Sequence, residues 1–196
     1  MGRWFSRFVM AAVVLLVACT RPEPFSGTDI TGIDYGKDFQ LTDHNGRPRS
    51  LADFKGKAVV LFFGYTRCPD VCPATLSEAA LALKALDKDA ERVQVLFVTL
   101  DPERDTREVL AQYVPAFNPA FLGLYGDLAA TQKVARDFKV FYQKQPGKTP
   151  DGYTLDHSTG TYVFDPGGRL RLYFGYGKGG EKLAHDLKLL LKSAAL

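Results

Sequence analysis

Short uncharged apolar runs alternate along this chain with amphipathic stretches and with turns marked by glycine and proline. Ala58 to Phe63 (AVVLFF), bounded by Gly56 and Gly64, is continuously apolar and predicts a strand buried on both faces. Arg92 to Leu100 (RVQVLFVTL) predicts a second. Between them Leu76, Ala79, Ala80, Leu83 and Leu86 recur at intervals of three or four, so a helix is expected to begin near Pro73, where proline is tolerated in the first turn. Upstream, Phe39 to Leu51 reads as a short hairpin turning at Asn45-Gly46. Downstream, the loop Asp101 to Thr106 leads into a helix through Val114, a strand at Phe121–Tyr125 and a helix at Leu128–Phe138. Val140–Gln143, a polar loop, Gly160–Phe164, a turn at Asp165 to Gly168 and Arg169–Phe174 supply the remaining strands, and Glu181–Leu191 is an amphipathic closing helix. This order predicts an α/β sandwich of thioredoxin-like type, a central sheet flanked by helices, with an N-terminal hairpin.

The N-terminus follows a different pattern. Arg3 and Arg7 precede an uncharged, mostly aliphatic run from Phe8 to Ala18, which ends on a small residue before Cys19. As a helix this run would span about 16 Å, short of a hydrocarbon core of about 30 Å, so a spanning anchor is the weaker reading. The stretch resembles a bacterial lipoprotein signal. That resemblance implies a signal peptide over residues 1–18, lipidation at Cys19 and a domain on the extracytoplasmic (periplasmic) side of a membrane. Residues 19–36 are rich in Pro, Gly, Ser and Thr and read as the anchor and a flexible tether with a reach of roughly 55 to 60 Å, with the folded domain over residues 37–196.

Composition changes the picture in three places. A chain of 196 residues can bury enough surface to fold without a disulfide framework or a structural metal, which leaves its three cysteines free for chemistry. With 25 basic residues against 22 acidic ones and no long basic run, a nucleic-acid partner is not expected. Loss of the leader would take the formal charge from +3 to +1 and would remove Met1, Met10 and Trp4, so any soft-metal site in the mature chain rests on cysteine and histidine.

Cys68 and Cys72 lie between the end of the first buried strand and the helix that follows it, where open α/β sheets place their sites. A helix N-terminus favours thiolate over thiol, and thiolate is the form that attacks disulfides and binds metals. The three-residue spacing makes a loop wider than that of a two-residue redox pair, able to close on a disulfide or to hold an ion. Two thiolates suit Cu(I) or Zn(II), and an added imidazole extends the range to Cu(II). His157, just before a predicted strand, is placed by the topology where it could join them, although a loop histidine taken alone is usually an ordinary surface group.

Three segments, Gly64 to Pro73 with its Cys-Pro-Asp-Val-Cys core, Asp-Pro-Glu-Arg-Asp-Thr at 101–106, and Asp156 to Gly168 (DHSTGTYVFDPGG), resemble the Sco/SenC family, in the family's order and over about residues 35–195. The resemblance implies copper, as Cu(I) or Cu(II), held by Cys68, Cys72 and His157, and a role in assembling the dinuclear copper centre of cytochrome c oxidase. Its implied partners are the copper-site subunit of the oxidase and a periplasmic copper donor or thiol reductant, with the membrane reached through the lipid anchor. The same cysteines would also serve a thiol–disulfide reductase acting on the oxidase subunit. A peroxiredoxin-like reading fits less well, because Thr66 precedes Cys68 by two positions rather than three, and an inert disulfide would have little reason to sit at a strand–helix switch.

Other candidates carry less. Asp101 is expected either to orient a ligand from behind or to cap the helix that follows, and Asp70 to lend charge to the cysteine loop or to serve as a turn residue. Arg67 reads as a pKa-lowering neighbour or a plain surface group. Phe62, Phe63 and Tyr65 are expected in the core and site wall, and His44 and His185 in solvated or structural positions.

Overall fold

The computed structural model describes residues 23–147 and 152–193. The leader and Cys19 lie outside the described residues. The strands are β1 (Thr28–Asp29), β2 (Leu41–Asp43), β3 (Pro48–Arg49), β4 (Ala58–Gly64), β5 (Val93–Thr99), β6 (Leu122–Tyr125), β7 (Tyr142–Pro146), β8 (Tyr153–His157), β9 (Thr161–Phe164) and β10 (Leu170–Phe174). The helices are α1 (Val71–Leu86), α2 (Arg107–Tyr113), α3 (Leu128–Asp137) and α4 (Gly180–Ser193). Eight strands form one sheet in the order β1-β10-β9-β4-β5-β6-β2-β3, while β7 and β8 form a separate antiparallel pair. Strands β4, β5 and β6 are parallel, and β9 runs antiparallel to β4.

The two apolar runs behave as their composition demands. Every residue of β4 is buried, and Ala58 to Gly64 pair in register with Val93 to Thr99 of β5. Phe63 is wholly buried against Phe138 and Tyr162, at ring-centroid distances of 5.3 and 6.1 Å. The expected hairpin forms as β2 and β3, with Gly46 at φ +84° in its turn. There the Asp43 carboxylate accepts from the Asn45 and Arg47 amides and from Arg49, which gives the chain reversal an internal template.

Two elements differ from expectation. The stretch expected to hang free as a tether through Gly36 is in large part docked. Thr28–Asp29 pairs with β10, the Ser26 and Gly27 amides donate to the buried Asp186 carboxylate at 2.9 and 2.8 Å, and the Gly36 amide donates to Asp137. Its partners lie roughly 100 to 160 residues downstream, where local composition gives no sign of them. The second difference is β8, read as part of a polar loop. A two-stranded ribbon standing off the main sheet has little apolar face, so YQKQP and YTLDH lack the alternation that marks a half-buried strand.

Candidate metal site at the strand–helix switch

Strand β4 ends on Gly64, and the chain turns through Tyr65, Thr66 and Arg67 before entering α1. Gly64 is required by close approach: a Cβ there would lie 2.8 Å from the Cys72 sulfur and 2.9 Å from the Phe97 ring. The turn is braced from β5. Asp105, buried, accepts from the Thr66 amide at 2.9 Å, the Thr66 hydroxyl at 2.6 Å and the Thr99 hydroxyl at 2.6 Å. Burial pushes the Asp105 carboxyl up from its ordinary pKa, opposed by these same bonds.

The cysteines are unequal. Cys68 is half-buried at the mouth of a cleft also lined by Tyr65, Pro69, Asp70, Leu155 and His157, whereas Cys72 is fully buried in the first turn of α1. The Cys72 amide, one of the unpaired donors of the helix start, points at the Cys68 sulfur from 3.4 Å. Burial, and then the bond to Cys68, pushes the Cys72 thiol well above its ordinary pKa, so its thiolate needs a cation beside it.

His157, the last residue of β8, completes the cluster. Its Nε2 lies 3.6 Å from the Cys72 sulfur, and its Nδ1 lies 2.8 Å from the Ser158 carbonyl. A carbonyl only accepts, so Nδ1 carries the proton and the Nε2 lone pair is left facing the sulfurs, as ligand histidines are commonly set. Burial holds the imidazole below its ordinary pKa, favouring the neutral, ligating form. One ligand atom from each of Cys68, Cys72 and His157 fits within 4.8 Å of the others, a spacing that one metal ion can bridge. Two thiolates and an imidazole are the donor set suited to copper in either oxidation state.

Asp101 does not cap the helix, and it bonds to no ligand directly but to the strand that carries one. Helix α2 is capped by Thr106, whose side chain accepts from Val109. The buried Asp101 carboxylate instead accepts from Tyr153 Oη at 2.6 Å and from Arg104 Nε at 2.5 Å. Arg104 in turn donates to the Tyr153 carbonyl and stacks on the Tyr153 ring at 3.4 Å. These contacts clamp the start of β8, four residues before His157. Asp70 stands at the N-cap position of α1 without making a capping bond, its carboxylate exposed at the cleft. Arg67 is exposed, and Phe62 and Tyr65 form the wall behind His157, with centroids 6.5 and 5.9 Å from the imidazole. His44 proves structural: it is buried, and its Nδ1 accepts from the Gly123 amide.

Asp105, Tyr153 and Gly64 carry no role in the sequence reading. Asp105 lies in the same DPERDT segment that drew attention to Asp101, and Gly64 bounds the buried strand, so position signalled both. Tyr153 had no signal, because its partner is known only once the hairpin folds back.

A thioredoxin-like α/β domain carrying a Cys-X3-Cys pair and a histidine at its strand–helix switch is the class of protein these features define. The SCO1/SenC family model matches residues 28–192, and the chain belongs to that family. The mouse mitochondrial SCO2 homolog is 37% identical over 153 residues, covering 77% of this chain and 60% of its own. The chain thus spans about three-fifths of the length of these mammalian SCO2 relatives. Among solved structures, copper-bound ScoI of Bradyrhizobium japonicum is 43% identical with a TM-score of 0.72, covering 79% of this chain and 98% of its own. Apo Sco1 of Thermus thermophilus is 43% identical with a TM-score of 0.76, covering 86% and 98%.

Proposed function

We propose that this protein is a copper chaperone which binds copper through Cys68, Cys72 and His157 and passes it to the dinuclear copper site of cytochrome c oxidase. The carrying observation is the convergence of those three side chains within 4.8 Å, with the Nε2 lone pair already turned toward the sulfurs. The copper bound by the Bradyrhizobium relative supports the choice of metal. Copper is cargo here. Loading displaces the Cys72 proton and satisfies its buried sulfur, and unloading proceeds by ligand exchange on the side of the half-exposed Cys68, where an acceptor thiolate can bond to the copper and displace the Cys68 sulfur first. Cys19 is proposed as the lipid attachment point, holding the domain on the extracytoplasmic side of a bacterial membrane near its acceptor.

The inequality of the cysteines favours a second reading. An accessible Cys68 backed by a buried Cys72 is also the arrangement of an attacking and a resolving thiol, so the pair would serve a thiol–disulfide reductase acting on the oxidase subunit. His157 separates the two. In titrations of the reduced protein, His157→Ala is expected to weaken Cu(II) binding at least tenfold, the scale seen on losing one ligand-shell group, while leaving disulfide exchange intact. Non-saturating binding of both Cu(I) and Cu(II) by the unaltered protein refutes the chaperone reading, and absence of disulfide exchange by the reduced, unaltered protein refutes its rival.

A further inference from the structure

The segment that leads out of the domain toward Cys19 does not leave from an arbitrary point. Glu23 Oε1 lies 2.9 Å from Nε2 of His185 on α4, while His185 Nδ1 meets Asp186 Oδ1 at 2.7 Å and Asp186 receives the Ser26 and Gly27 amides. Glu23 stands four positions after Cys19, a span of at most about 14 Å. Whatever holds Cys19 therefore holds Glu23 within that distance, and α4 one pair of side chains further on.

The face of α4 around His185 is free of the core. Leu183, Ala184, Asp186, Leu187, Leu190 and Leu191 are buried, and the remaining positions from Glu181 to Lys192 lie on one arc of about 120° at 100° per residue. That arc carries Lys182, Lys188 and Lys192, all exposed, against the carboxylate of Glu181, while the Glu23 carboxylate is paired with His185 on the same face. Beside the start of the helix stands Leu81 of α1, 61% exposed and packed next to Gly180. A basic helical face with an exposed leucine at its edge, reached by a short chain to a lipid, matches the negative headgroups and shallow apolar layer of a bilayer surface.

We propose that this face of α4 lies on an anionic phospholipid surface, the lysines meeting headgroup phosphates. The proposal rests on the reading of Cys19 as a lipid anchor. It also sets the direction of the copper site. Gly180 abuts Glu78 and Ala82 while Arg92 holds the Leu191 carbonyl, so α4 follows the second half of α1, away from the first turn that carries Cys72. With α4 flat on the bilayer, the site opens along the membrane plane, toward a partner embedded beside it.

The test uses the full chain, purified with its own N-terminus and reconstituted into vesicles of phosphatidylcholine alone or mixed with phosphatidylglycerol. Lysine acetylation by a water-soluble reagent is followed by peptide mass spectrometry. Lys182, Lys188 and Lys192 are expected to react several-fold more slowly in the anionic vesicles, with Lys133 of α3 and Lys139 beyond it unchanged. Equal rates in both vesicles overturn the proposal. Protection in native membranes but in neither vesicle also overturns it and assigns the face to an acidic protein. For Lys182→Gln/Lys188→Gln/Lys192→Gln, preference for anionic over neutral vesicles should fall about a hundredfold, at about fivefold per lysine; an unchanged preference counts against the lysines. The mass of the N-terminal peptide reports separately whether Cys19 carries lipid, so failure of the anchor reading is distinguishable from failure of the α4 face.

Discussion

At the scale of single residues, Asp105 and His185 act through hydrogen bonds that span large separations in sequence. Asp105 joins the turn before the cysteines to the end of β5, and Asp105→Ala leaves three donors, one buried and two partly buried, without their acceptor. Unmet buried donors cost about 1–3 kcal/mol each, tempered here by relief of the carboxylate's own burial. A net loss of about 2–3 kcal/mol in denaturant unfolding is expected, with Asp105→Asn losing less because it keeps one acceptor oxygen. His185 works in the opposite direction. Both ring nitrogens face carboxylates, which only accept, so the ring is held as imidazolium; the bond to Asp186, then that to Glu23, raises its pKa above the ordinary 6.5. The folded form binds the proton more tightly than the unfolded one, so the clasp's stabilisation is complete below pH 6.5 and is lost as pH rises through the folded value. Limited proteolysis of the segment around Ser26 should therefore quicken over that rise in pH, and His185→Gln should remove the dependence.

At the scale of elements, the hairpin β7–β8 decides whether the site is complete. It pairs with no strand of the main sheet, and the position of His157 depends on the clamp that Asp101 and Arg104 place on Tyr153. Tyr153→Phe keeps the ring over Arg104 but removes the hydroxyl bonded to a carboxylate, an interaction of about 1.5–3 kcal/mol. Cu(II) affinity measured by competition is expected to fall, though less than in His157→Ala, while Cys68 and Cys72 keep their mutual geometry in the loop and first turn at the start of α1. Affinity equal to that of the unaltered protein would show that the hairpin holds its place without this bond. The polar pattern of YTLDH hid the element that matters most to the ligand set, because a ribbon held by side-chain clamps needs no apolar stripe.

At the scale of the whole molecule, the rigid part is the parallel core of β4 and β5, and the cysteine loop hangs from its end. Phe63 lies wholly inside, ringed by Phe138 and Tyr162. Phe63→Ala should cost about 3–5 kcal/mol through lost burial and the cavity left behind, read as a lowered denaturation midpoint. Because the loop is attached to this core, copper affinity near the weakened midpoint should decline with the folded fraction rather than ahead of it.

Apolar runs, helical spacing and the Asn45-Gly46 turn determined the order of the helices and of the strands other than β1 and β8 from the sequence alone, since burial on both faces of a strand and the φ of a tight turn are properties of local composition. The placement of Cys68 and Cys72 at a strand–helix switch was legible for the same reason. What only the tertiary structure decided is how distant residues meet: His157 beside Cys72 across 85 positions, Asp105 under Thr66, Tyr153 on Asp101, and the Ser26 segment on Asp186. Such contacts depend on the register of strands and the fold-back of a ribbon, which bring together residues whose local sequence holds no record of one another.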